Sequence, residues 1–275
     1  MSFIGTLQHA ASRSAGFLAN CEYFGISHAL IWAATKGLAI DLSEAEKTHF
    51  SSLNDLFTRK LKPQARPIAP EPAVLSPVDG TLSALGKVEN QQHITIKAHD
   101  YTLNALFGEH HALSAPFTQG DFALYYLAPH DYHRIHAPLS GGLTHMLSVP
   151  GQLFSVNETL APKDVFSRNE RVIALFDVPG GKMAVIFVGA LLVGSIHTEW
   201  AGAVCPNPNT PKVYRDDYAA GEHLYQRGDA LGHFQFGSSV LVLFSEDLVS
   251  WSAQNLIDKP VKMGESHGKL LGKSS

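Results

Sequence analysis

From residue 73 onward, short apolar runs alternate with glycine, proline and small polar residues. The runs are AVLSPVDGTLSALGKV, HITIKA, DFALYYLAP, LTHMLSVPG, RVIALFDV, KMAVIFVGALLVGSI and SSVLVLF. Each is about as long as a strand, and turn residues punctuate between them. One stretch breaks the rhythm: YTLNALFGEHHAL, residues 101–113, predicts a helix. Long helices do not alternate with the strands, which disfavours a doubly wound parallel sheet. The pattern predicts an α+β fold whose β-rich domain, residues 61–275, has mainly antiparallel sheets. After Pro260 the polar, glycine-rich tail is expected to be loose.

Residues 1–60 follow a different pattern and predict helix. The most apolar stretch, GISHALIWAATKGLAI at 25–40, is interrupted by His28 and Lys36. It falls short of the roughly 20 residues a spanning helix needs. Two readings remain open: an ordinary packed helix, or an amphipathic helix lying in a membrane surface. The acidic LSEAEK predicts a helix start near Ser43. KPQARPIAPEP, residues 62–72, carries four prolines and reads as a linker or an extended crossing segment. Arg59, Lys60, Lys62 and Arg66 cluster at this junction, either simply solvated or placed to meet anionic lipid headgroups.

Composition narrows the function classes. Hydrophobic residues make up 45% of the 275 positions, enough for a sizeable core. With 21 basic and 25 acidic residues the formal net charge is −4, and nothing suggests a nucleic-acid partner. Cys21 and Cys205 have no motif spacing, so a reducing compartment fits better than a disulfide scaffold. The start, MSFIGTLQHAASRSAGF, lacks the basic opening and compact apolar core of a secretory signal.

Four stretches carry chemistry. In SPVDG, Asp79 precedes a glycine, which alone reads as a turn aspartate. HDYHRIHAP places His130, His133 and His136 at intervals of three. On a helix that spacing would suit a metal, but flanking prolines oppose a long helix and no second ligand cluster has recognisable spacing, so no metal is expected. On a strand, His133 and His136 would face opposite sides, and sharing a pocket would need a bulge or turn. Histidine is also the natural general base near neutral pH. In VPGQLFSVN, Ser155 and Asn157 are candidate polar anchors in an apolar pocket, or outward positions on a strand. Finally, FQFGSSVLVLF opens a buried strand with Gly237-Ser238-Ser239. A serine nucleophile needs a base and a group to orient that base. Asp79, a histidine from 130–136 and Ser238 supply those types, while Gly194-Ser195 is a rival pair. Spacing alone does not choose between them.

Seven segments, in order from about residue 55 to residue 244, resemble the phosphatidylserine decarboxylase family: FTRKLKPQARPI, PVDG, DYHRIHAP, VPGQLFSVN, RNERVIALF, VGSIHTEWAG and FGSSVLVLF. Before residue 50 only the general character matches. The resemblance implies a proenzyme that cuts itself between Gly237 and Ser238 into a large chain, 1–237, and a small chain, 238–275. It implies Ser238 as nucleophile, His136 as base and Asp79 as the group that orients and stabilises that base. The product would be a covalent pyruvoyl cofactor derived from Ser238. That group would form a Schiff base with phosphatidylserine and yield phosphatidylethanolamine. His133, three residues from His136 and expected to share its pocket, is the candidate proton donor, and the LFSVN match places Ser155 and Asn157 toward the substrate phosphate or carboxylate. The family's usual Leu-Gly-Ser-Thr is here Phe236-Gly237-Ser238-Ser239, which keeps the Gly-Ser bond. The helical segment 1–60 is then expected to attach the chain peripherally to the cytoplasmic face of the cell membrane. The two cleavage products are expected to stay together as a heterodimer, with room for a higher oligomer. A serine hydrolase, or an uncleaved lipid-binding relative without activity, would instead keep the chain intact.

Overall fold

Apolar runs without polar alternation belong to strands covered on both faces. The computed structural model describes residues 16–89, 92–96, 99–156, 161–190, 196–204, 213–235 and 238–272. Its main sheet has nine strands. Across it run Tyr214–Asp217, Gly141–Val149, Arg171–Val178, Gly181–Val188, Ser238–Phe244, Asp121–Leu127, Gly80–Lys87 and Pro260–Val261. Leu224–Tyr225 also pairs with Gly141–Val149. All these pairings are antiparallel. Ser238–Phe244 lies near the middle and is buried at every position. It pairs with Asp121–Leu127 on one side and Gly181–Val188 on the other.

A four-stranded sheet covers one face: Gly202–Val204, Ile196–Thr198, Ala230–Phe234 and Arg134–His136. Phe234 of this layer packs on Phe187 of the main sheet, ring centroids 6.0 Å apart. The hairpin His93–Ile96/His99–Thr102 and the short helices Leu103–Leu106 and Val165–Arg168 cover the other face. Arg171, fully buried, ties those two helices together. Its guanidinium donates to the carbonyls of Ala105 and Leu106 at the end of one helix and of Ser167 and Asn169 at the end of the other.

Helix Phe24–Gly37 forms from the apolar stretch and carries Lys36 in its last turn, where a cation suits the dipole. Just beyond it, Ala39 has φ 53°, which ends the helix. Ile31 and Ala34 pack toward a small separate core of Ile40, Ala45, Phe50, Leu56 and Phe57. Ile26 and Trp32 stay outside.

The structure corrects four expectations. No helix starts near Ser43. The cap is Ser52, whose hydroxyl accepts from the Asp55 N–H to start Leu53–Phe57. Residues 101–113 do not form one helix. A strand ends at Thr102, and Gly108 and Glu109, with φ 60° and 67°, separate Leu103–Leu106 from His111–Ser114. The tail after Pro260 is ordered through Leu270. Ser266–Leu270 is the middle strand between Ala73–Leu75 and Val249–Trp251, and its own His267 is fully buried. Arg59 and Arg66 of the junction cluster turn inward rather than to solvent or lipid.

Candidate active site

PVDG lies where two backbones touch. A Cβ on Gly80 would run into the carbonyl of Tyr126 and sit 3.6 Å from the Leu127 Cα, so this crossing needs a glycine. Leu127 in turn pairs with Ser238. The strand Arg134–His136 reaches the same corner, because the His136 N–H donates to the Pro77 carbonyl at 2.8 Å. Asp79, His136 and Ser238 are thus gathered at one end of the main sheet.

Ser238 is fully buried, and among the described residues its hydroxyl has no hydrogen-bond partner. Its neighbour Ser239 points to the opposite face, as alternate strand positions must. Ser239 lines a cavity of about 260 Å³ together with Ser83, Leu124, Tyr126, Val156 and Phe166.

The His136 Nδ1–H donates to the Gly228 carbonyl at 2.7 Å. A carbonyl only accepts, so this bond fixes the tautomer and leaves Nε2 with its lone pair. The Tyr132 hydroxyl donates to that Nε2 at 3.0 Å, and the two rings stack. Burial is the main cause that lowers the His136 pKa, and the charge of Asp79 works against it. Asp79 makes no hydrogen bond to His136. Its carboxylate accepts from Arg66 Nε at 2.9 and 3.1 Å, from Arg66 Nη2, and from the Met263 N–H at 2.9 Å. The orienting hydrogen bond on the imidazole therefore comes from Gly228, and Asp79 acts on it through space.

His133 stands apart from His136. It is fully buried, lies edge-on to Phe57 with centroids 5.8 Å apart, and donates a long 3.4 Å bond from Nε2 to the Pro129 carbonyl. Burial pushes its pKa down to about 4, so the ring is neutral at neutral pH. The register irregularity opposite His136 lies in the partner strand, between Ala230 and Gly232, while His133 precedes the strand Arg134–His136. The loop holding His133 is pinned by Arg59, whose Nη2 donates to the carbonyls of His130 and Asp131, 3.2 Å each. Among the described residues no three His, Cys, Asp or Glu gather to hold a metal ion.

Ser155 lies on the segment that walls the cavity through Val156. Buried Asn169 holds this segment, accepting from the Phe154 N–H and donating to the carbonyls of Phe154 and Gly189 at 2.8–3.0 Å. Gly237, Asn157 and the rival Ser195 lie outside the described residues. Arg66, Tyr132 and Gly228 were missed from sequence. Their partners lie 13, 4 and 92 residues away, and only the Tyr132 interval matches a local pattern.

A family model described as phosphatidylserine decarboxylase matches residues 53–269. Over 273 residues the chain is 43% identical to the phosphatidylserine decarboxylase proenzyme of Pseudomonas fluorescens, covering 97% of this chain and 95% of that one. Against the proenzyme of Pseudomonas aeruginosa it is 44% identical over 264 residues, 94% of this chain and 91% of that one. The Stutzerimonas stutzeri proenzyme is 42% identical, with 95% and 90% covered. With most of its length matched at this identity, and with the family's segments folded together, the chain belongs to the phosphatidylserine decarboxylases, a family of carboxy-lyases.

Proposed function

We propose that this chain is a precursor that cuts itself between Gly237 and Ser238 and then decarboxylates phosphatidylserine to phosphatidylethanolamine. The observation that carries this reading is the Ser238 hydroxyl: fully buried, without a partner among the described residues, and at the same sheet end as Asp79 and His136. Leaving a buried hydroxyl unpaired costs free energy, and a nucleophile aimed at its own backbone gives the arrangement a use. Ser238 Oγ attacks the Gly237 carbonyl carbon while His136 Nε2 accepts the hydroxyl proton; the C–N bond then breaks, the imidazolium returns the proton to the departing amine of residue 238, and the amide becomes an ester. The negative charge of Asp79 favours the imidazolium so formed. Loss of the residue-238 Cα proton then expels the Gly237 carboxylate and leaves a dehydroalanine. Water converts this to a pyruvoyl group and ammonia.

The surroundings of Ser238 fit such a group: a buried, partly polar corner, with the cavity behind the same strand. The pyruvoyl ketone supplies the electron sink that loss of CO2 from an amino acid requires and that no side chain offers. His133 is the proposed proton donor to the substrate carbon. Burial keeps it neutral at rest, so the anionic headgroup must supply the charge that favours its protonated form. Ser155 and Asn157 are the proposed contacts for the substrate phosphate or carboxylate.

The lipid reading is supported by exposed apolar side chains near the N-terminus: Phe17 (79% exposed), Tyr23 (75%), Ile26 (48%) and Trp32 (68%). No described helix is long and apolar enough to cross a membrane. Peripheral attachment at the cytoplasmic face, through this segment, is the arrangement proposed. Flotation with anionic liposomes tests it; a chain lacking the helical segment that floats equally well would count against it.

A denaturing intact-mass spectrum tests the central claim. Two pieces are expected, residues 1–237 and 238–275, the smaller blocked at its N-terminus. Ser238→Ala should stay whole. His133→Ala should cleave but decarboxylate at least about 100-fold more slowly. If His133→Ala fails to cleave instead, the division of work between the two histidines is wrong.

A further inference from the structure

The proline-rich crossing segment sends one side chain back into the site. The Arg66 side chain is only 8% exposed, and its guanidinium grips Asp79 with two nitrogens. A carboxylate has room for about four hydrogen bonds. Four contacts fill that room on Asp79: the Arg66 Nε–H shared between both oxygens, Arg66 Nη2 on Oδ2 and the Met263 N–H on Oδ1. None remains for His136, whose Nδ1–H is already given to Gly228. Whatever Asp79 does for His136 it does by its charge, and the strength of that effect depends on where the carboxylate is held.

Arg66 is itself held. Its Nη1 donates to Glu44 at 2.9 Å and to the Ala65 carbonyl at 2.6 Å. A planar fork gripping a carboxylate with two nitrogens fixes its position and plane, which a lysine point charge does not. This geometry excludes the solvated surface charge that the local sequence suggests.

We propose that Arg66 is a positioning residue for self-cleavage, holding Asp79 where its charge supports the imidazolium that forms on His136 as Ser238 loses its proton. The inference rests on the self-cleavage reading above. Through Glu44 the same ion-pair chain runs into the N-terminal segment, so that segment helps to organise the site as well as to reach lipid.

The test follows cleavage of freshly synthesised full-length precursor over time, with melting temperatures measured alongside. Arg66→Met keeps the length of the side chain and removes the charge. It should cleave about 100-fold more slowly, the scale of a small misplacement of a reacting group. Arg66→Lys keeps the charge without the fork and should recover to within about tenfold of the wild type. Wild-type cleavage by Arg66→Met overturns the proposal. So does Arg66→Lys no faster than Arg66→Met, because a merely structural loss gives the charge no credit. Should both variants fail to fold, Glu44→Gln decides. It replaces the charged acceptor of Arg66 Nη1 with a neutral one, which loosens the hold on the guanidinium and so on Asp79. A folded Glu44→Gln precursor should cleave about threefold more slowly, and an unchanged rate overturns the proposal. A wild-type precursor that never cleaves overturns the self-cleavage reading beneath it.

Discussion

His136 is poised by two bonds with opposite consequences. The Gly228 carbonyl holds the Nδ1–H and so keeps Nε2 free of its own proton, while the Tyr132 hydroxyl occupies the Nε2 lone pair. A donor on that lone pair stabilises the neutral imidazole. Removing it in Tyr132→Phe should raise the His136 pKa. Cleavage needs the unprotonated base, so the acid limb of its pH profile should move to higher pH. A limb that stays put would mean that Tyr132 does not touch the working base. At this scale the sequence was legible wherever chemistry sits in a compact motif. Asp79, the histidines of 130–136 and Ser238 stood out as candidates by residue type, and the family resemblance, not their spacing, chose among them. Arg66 was not, because an arginine among prolines looks the same whether it turns out or in. Glu170, buried beside Arg171, was not either, since nothing in RNERV shows which charges lose their water.

Strands were more legible than helices or turns. The apolar runs predicted in AVL, DFALYYL, RVIALFDV, KMAVIFV and SSVLVLF are all strands, because burial on both faces removes the polar alternation. The tail was misread for the reverse reason. SHGKL has little apolar character, and its pairing on both sides comes from residues nearly 200 positions earlier and from a neighbour close by. The glycine of PVDG was also read too locally, as a turn residue. Its real constraint is the neighbouring strand, where any Cβ meets the Tyr126 carbonyl. Backbone cannot swing aside as a side-chain tip can, so Gly80→Ala should destabilise by about 1–3 kcal/mol. It should also slow cleavage, because Asp79 is the adjacent residue. Gly25→Ala is the control. A Cβ there meets nothing within 4 Å, and the residue lies in helix Phe24–Gly37. Its melting temperature should hold or rise. Equal losses in the two variants would refute the close-approach argument.

For the whole molecule, self-cleavage would leave the small chain as an internal strand, Ser238–Phe244 between two strands of the large one, so the pieces should co-elute until denatured. Stability as a function of pH tests the same packed core. Burial lowers His133 and His267 to about 4 and His233 to about 3. Each is depressed below its unfolded value of 6.5, so its contribution is present above pH 6.5 and is lost as pH falls toward the folded value. Glu170 runs the other way. Burial raises it from 4.5 to about 8, so the folded chain keeps a proton that the unfolded chain has released. Its contribution is full below pH 4.5 and is lost as pH climbs to about 8. At about 1.4 kcal/mol per unit the shift corresponds to an upper bound of about 5 kcal/mol. From pH 6.5 to 8 the buried histidines stay neutral in the folded chain and lose their last unfolded-state protons alike in wild type and Glu170→Gln, so the difference between the two proteins isolates Glu170. The melting temperature of the wild type should therefore fall relative to that of Glu170→Gln, which has no proton to lose, from pH 6.5 to 8. Parallel decline of the two curves would show that the Glu170 carboxyl reaches water and is not the buried acid described here.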